Sequence, residues 1–80
     1  MHELGIMFRV VETALKAAEG NGLSAVEAIV LEVGARSPVV PRYLQSCFPA
    51  AASGTLLEGA RLEIEPLNGT EFNIKEIRGC

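Results

Sequence analysis

Residues 25–33, Ala-Val-Glu-Ala-Ile-Val-Leu-Glu-Val, constrain this chain more than any other stretch. They are too rich in β-branched side chains for a comfortable helix. The apolar run is also too continuous for a strand with one wet face. It reads as a strand mostly buried on both faces, with Glu27 and Glu32 near its ends. Such a strand cannot stand alone, so the flanking segments must supply its cover.

Two segments have the helical period to do so. Over residues 3–19 the apolar positions Leu4, Met7, Phe8, Val11, Ala14, Leu15 and Ala18 recur at three- and four-residue spacing. Arg9, Glu12, Lys16 and Glu19 fall on the other side, which makes an amphipathic helix. Gly20-Asn21-Gly22 supplies its stop, because Gly and Asn tolerate the left-handed backbone that ends helices. Pro41 suits the first turn of a second helix that buries Leu44, Cys47, Phe48 and Ala51 and stops near Gly54. Pro49 lies inside it, removes one donor and crowds the carbonyl of Gln45, so a kink or an early end is expected.

Residues 60–66 alternate, with Leu62 and Ile64 inward and Arg61, Glu63 and Glu65 outward. Residues 71–78 form the last strand, with Phe72 and Ile74 as its inward pair. Asn68-Gly69 between them is a strong hairpin signal. A two-residue turn would set Phe72 against Glu65 and mix the two faces, which period-two pairing forbids. A three-residue loop, Leu67-Asn68-Gly69, sets Ile64 opposite Phe72 and Leu62 opposite Ile74, with Gly69 in the left-handed position of a bulged type I turn. The expected architecture is α+β in the order α-β-α-β-β, with two helices packed on one face of a three-stranded mixed sheet. The first two strands are parallel through a right-handed crossover, and the last two are antiparallel. Glu63, Glu65, Asn73, Lys75 and Ile77 fall on the other face. Ile77 is out of place there, and together with the free sheet edges it suggests a weak homodimer.

With 80 residues and no repeat or low-complexity stretch, residues 1–80 read as a single domain. Forty-nine per cent of residues are apolar, enough to fold. A chain this short buries only about 60–65% of its unfolded surface, so any site is small or completed by a partner. Seven Lys+Arg stand against ten acidic residues, all Glu, which argues against nucleic-acid binding. No apolar run approaches the roughly 20 residues of a membrane span. Met1-His2-Glu3 lacks the basic character of a signal peptide, and Cys47 and Cys80 form no dense framework, so a cytoplasmic chain is expected. Cys47 falls on the apolar face of the second helix as a small hydrophobe, and Cys80 reads as a loose terminal thiol. His2 is the sole imidazole and there is no Asp, so no Ser-His-Asp constellation forms. Gly20-Asn21-Gly22 precedes a strand and lacks the Lys of a phosphate loop. Enzymatic function is not expected.

The amino terminus remains. A histidine in second position brings its imidazole, its own backbone nitrogen and the terminal amine within reach of one metal ion through adjacent small chelate rings. Deprotonated amide donors in a square plane suit Ni(II) or Cu(II) better than Zn(II). Amine and imidazole both lose protons near neutrality, so binding is expected to depend steeply on pH.

Met-His-Glu-Leu-Gly-Ile at 1–6 resembles the opening of the HypA/HybF nickel metallochaperones. Leu-Glu-Val-Gly at 31–34, Val-Val-Pro at 39–41, Gly-Thr-Leu-Leu-Glu-Gly-Ala-Arg-Leu-Glu-Ile-Glu at 54–65 and Ile-Lys-Glu-Ile at 74–77 are similar in the same order. The resemblance implies a nickel-binding metallochaperone for maturation of an enzyme such as NiFe-hydrogenase, sometimes urease. Its implied partners are a nickel-enzyme precursor (the hydrogenase large subunit) and a nickel-insertion GTPase. It implies Met1 (amine), His2 (amide and imidazole) and Glu3 as the metal site, with Glu3 offering its backbone nitrogen or only support. Family members insert a zinc domain with two C-x-x-C pairs between the last two strands; here a tight turn at 67–69 takes that place, so no zinc is expected. The other reading is an interaction module that keeps the fold and binds a maturation partner, or itself, without transferring metal.

Overall fold

The computed structural model describes residues 2–80, with side chains from Glu3 onward. The elements are α1 (His2–Gly20), β1 (Val26–Gly34), α2 (Pro41–Ala52), β2 (Arg61–Leu67) and β3 (Phe72–Gly79), the expected α-β-α-β-β order. Both helices and the helix-facing side chains of the sheet share one core. None of the described helices is long and apolar enough to cross a membrane.

α1 buries Met7, Val10, Val11, Ala14 and Ala18, while Phe8 is 52% exposed. The buried stripe therefore runs through Val10 and leaves Phe8 outside, a shift from the expected set. The helix closes as a Schellman turn around Gly22 (φ 71°). Leu23 N–H donates to Ala18 O (2.9 Å) and Gly22 N–H to Glu19 O (3.1 Å). α2 begins with Pro41 behind Val40 and buries Leu44, Phe48, Ala51 and Ala52; Cys47 is half-buried. The early end expected at Pro49 does not occur, since α2 runs three residues past it. Pro49 is exposed, so the carbonyl it leaves without a helical donor faces the watery side, where the loss is cheapest.

The sheet order is β2-β1-β3. β1 and β2 are parallel as expected, pairing Ile29 with Leu62 and Leu31 with Ile64. The expected hairpin is not formed. β3 lies antiparallel to β1, pairing Leu31 with Ile74 and Val33 with Phe72, so Ile64 and Leu62 have β1 and not β3 as their neighbour. The segment at 67–69 is part of a bridge across the end of β1. Ala35 N–H donates to Leu67 O (2.7 Å), Arg36 N–H to Gly69 O (2.9 Å) and Gly34 N–H to Glu71 O (2.6 Å). Crossing one strand means spanning roughly 10 Å, two strand spacings, which residues 68–71 readily cover. Gly69 is not left-handed; the positive-φ glycines are Gly22, Gly54 and Gly59. Gly34 is the glycine the crossing needs, because a Cβ there would run into the Gly69 carbonyl. The physical reason for the order is β1 itself. Apolar on both faces, it gains most from the middle of the sheet, whereas β2 and β3 each have a polar face to spare.

A second correction follows from a bulge. The β1–β3 register slips between Val30/Leu31, leaving Lys75 as the extra residue. Ile77 is thereby turned to pair with Ile29 and packs against the core. The apolar residue expected on the open face is not there. That face carries a lattice of ion pairs instead. Lys75 Nζ meets Glu65 Oε1 (2.9 Å) and Arg78 Nη2 meets Glu63 Oε1 (2.6 Å), each joining the two edge strands across β1. Arg61 also reaches Glu63 (3.3 Å). Ala28 and Val30, the apolar β1 residues on this side, are buried all the same.

Candidate metal centre at the amino terminus

The parallel crossover sets where the terminus lies. Glu3, the start of α2 and the 68–71 bridge all gather at the end of the sheet where β1 and β2 stop. The contacts that show it are Val40 N–H to Glu3 Oε2 (3.4 Å) and Arg36 N–H to Gly69 O (2.9 Å), joined by residues 36–40. Val39 N–H is held by Ser37 Oγ (3.3 Å) within that stretch.

α1 starts at His2, so the backbone nitrogens of His2 and Glu3 are the first two of the helix. The first four N–H groups of a helix have no intrahelical acceptor. These nitrogens can therefore lose a proton to a metal without breaking a helical hydrogen bond. A planar amide-nitrogen chelate requires nitrogens that are free in this sense. Met1 and the His2 imidazole lie outside the described residues. Glu3 is half-buried, and its carboxylate engages Val40.

Among the described residues no three His, Cys, Asp or Glu side chains converge as a metal-holding group. Cys47 sits on α2 at the core boundary, and Cys80 is exposed. Cys80 is less loose than expected. Its carbonyl accepts from Ser24 N–H (2.7 Å) and Ala25 N–H (3.2 Å), and its own N–H donates to Ala25 O (3.0 Å). The resolved charge perturbations all belong to the open sheet face. Arg78, and then Arg61, hold the Glu63 carboxyl below its ordinary range against some desolvation. The Glu65 carboxylate raises the Lys75 ammonium, and Glu63 raises Arg78. This lattice is at the far side of the sheet from the helices, and each of its members is already paired. The contact that sequence reasoning missed is the Val40 N–H; nothing in the spacing of residues 3 and 40 announces it.

A family model described as "Hydrogenase/urease nickel incorporation, metallochaperone, hypA" matches residues 1–72. The chain belongs to the HypA family. A hydrogenase maturation factor HypA of Geobacter sulfurreducens is 49% identical over 69 residues, covering 86% of this chain and 60% of the relative. That of Chlorobium limicola is 39% identical over 67 residues, covering 84% and 58%. The chain thus spans about three-fifths of the length of the curated relatives it matches. The solution structure of the Ni metallochaperone HypA from Helicobacter pylori superimposes with a TM-score of 0.74 at 16% identity, covering 92% of this chain and 70% of that one. That likeness bears out the α+β fold, two helices and a three-stranded mixed sheet. The family match stops at Phe72, the first residue of β3.

Proposed function

We propose that residues 1–80 are a nickel-binding metallochaperone domain that carries Ni(II) at Met1, His2 and Glu3 and hands it to a nickel-enzyme precursor. The observation that supports this most directly is the start of α1 at His2, which leaves the nitrogens of residues 2 and 3 free of helical partners. Family membership supports the choice of metal, since the matching model describes nickel incorporation. The donor set fits: nitrogen-rich, at a helix start, with Glu3 alongside. Ni(II) is cargo here, and a delivery site must surrender what a closed cage would keep.

The recipient is a nickel enzyme precursor such as a hydrogenase large subunit, and a nickel-insertion GTPase is the accessory partner that the resemblance implies. The relatives named hydrogenase maturation factors support the first of these. The protein acts in the cytoplasm, by ligand exchange and without catalysis or zinc. The 68–71 bridge takes the place of the family's inserted zinc module. Weak self-association rests on the free edges of β2 and β3 alone, because Ile77 is turned to the core.

The test is Ni(II) titration of untagged protein followed by absorbance. One equivalent should bind with proton release and a yellow planar-nickel band. His2→Ala should lose most of it, and acetylation of the terminal amine should do the same by removing the first chelate ring. A double Ser variant at Cys47 and Cys80 should bind normally. Nickel that survives His2→Ala but leaves with the two thiols would sink the assignment and favour a module that keeps the fold without this site.

A further inference from the structure

α2 begins without the side chains that usually close a helix start. Val40 is its N-cap, in extended backbone (φ −98°, ψ 114°), with no side-chain cap and no acidic residue in the first turn. In a capping box, a Glu at the third helical position reaches back to the N-cap N–H. The third position here is Tyr43, which cannot accept that bond in the same way. The carboxylate arrives from the other helix: Val40 N–H donates to Glu3 Oε2 at 3.4 Å. Glu3 also stands in the first turn of α1. Its charge therefore faces the positive ends of two helix dipoles at once.

We propose that Glu3 is a positioning residue. Its carboxylate clasps the start of α2, fixes the end of α1 to which the Met1-His2 donors are attached, and gives no oxygen to the metal. The clasp sets how readily the terminus releases Ni(II); this part rests on reading the terminus as the nickel site. A terminus already held in place loses less freedom when metal binds, so its complex forms at lower entropic cost and comes apart more slowly. The backbone nitrogen of Glu3 remains a donor, so the two ends of one residue have separate tasks.

The experiment compares native protein with Glu3→Ala, Glu3→Gln and Val40→Pro. Val40→Pro deletes the N–H with Glu3 intact and keeps a φ the ring nearly tolerates. Two readouts are used: amide exchange at Val40 in metal-free protein, and stopped-flow transfer of bound Ni(II) to EDTA. Glu3→Ala should speed Val40 exchange and accelerate nickel release on the order of fivefold, the size of a lost cap contact, with the planar band unchanged. Glu3→Gln still has an amide oxygen to accept the bond and should restore most of the native release rate. Val40→Pro should release nickel as fast as Glu3→Ala. Unchanged Val40 exchange in Glu3→Ala would overturn the clasp. So would native release from Val40→Pro beside fast release from Glu3→Ala, or a shifted nickel band in Glu3→Ala, since either makes the carboxylate a ligand. Nickel retained by His2→Ala would sink the terminal site and the release effect with it, while Val40 exchange still judges the clasp alone.

Discussion

The two faces of the central strand are buried by different means. On the helix side, Ile29, Leu31 and Val33 meet other apolar side chains from both helices and both edge strands. On the open side, Ala28 and Val30 are as fully excluded from water, yet their surroundings are Glu, Lys and Arg paired across the sheet. The difference teaches that a buried residue need not belong to a layered core. Long charged side chains can shelter apolar surface with their stems while their heads stay wet. The two arrangements should respond differently to a lost methyl group. A packed layer keeps the void it is given, whereas flexible surface chains can settle into one.

The largest effect should come from breaking the packed face. Leu31→Ala should cost about 2–5 kcal/mol in urea unfolding, the range for a buried Leu whose cavity does not collapse. Val30→Ala, one residue along on the other face, removes fewer atoms and should cost about 1–2 kcal/mol. Equal losses at the two positions would mean that the ion-paired face is packed as rigidly as the core.

The next test concerns the end of β1. Two glycines meet there, and only one is under constraint. A Cβ on Gly34 would strike the Gly69 carbonyl, a backbone atom that cannot move aside alone. Gly34→Ala should therefore cost about 1–3 kcal/mol, as overpacking does. At Gly69 an added Cβ would meet only the tip of the Glu71 side chain, which can swing away. Gly69→Ala should stay within about 0.5 kcal/mol of native, as surface changes do. The reverse ranking would bring back the left-handed hairpin turn that the sequence suggests.

Those two glycines also show how far the sequence could be read. The elements, the parallel β1–β2 pair and the side of the sheet that the helices cover all follow from periodicity and turn residues. The strand order does not follow from Asn68-Gly69, because a turn signal states where the chain bends and not which strand it passes. The apolar run of β1 carried the better signal: a strand buried on both faces belongs in the middle. Ile74 and Ile77, three apart in a strand, were a second overlooked signal, since a bulge is what brings such a pair to one side. At the terminus, the motif pointed to Met1, His2 and Glu3. The bond from Val40 to Glu3 joins residues 37 apart and depends on how two helices are placed, so no local pattern could show it.

The smallest expected effect tests whether the open-face lattice contributes at all. Glu63 accepts from Arg78 and Arg61, and chiefly Arg78 holds its carboxyl below the ordinary 4.5. A carboxyl that is more acidic in the folded chain than in the unfolded one stabilises the fold above its unfolded value, and that contribution fades as pH falls through the folded one. Arg78 and Lys75 are shifted the other way, upward by Glu63 and Glu65, so their share is present across neutral pH and fades only as pH rises through their own strongly basic range. The pairs are open to solvent, which screens them and keeps the effect small. Thermal unfolding of native protein and Glu63→Gln between pH 7 and pH 3 should therefore converge as the pH drops, with the native protein modestly ahead at neutrality in low salt. Adding salt should narrow the neutral gap before it touches Leu31→Ala. A gap that persists at pH 3, or grows there, would mean that Glu63 shelters Val30 by packing and not by charge.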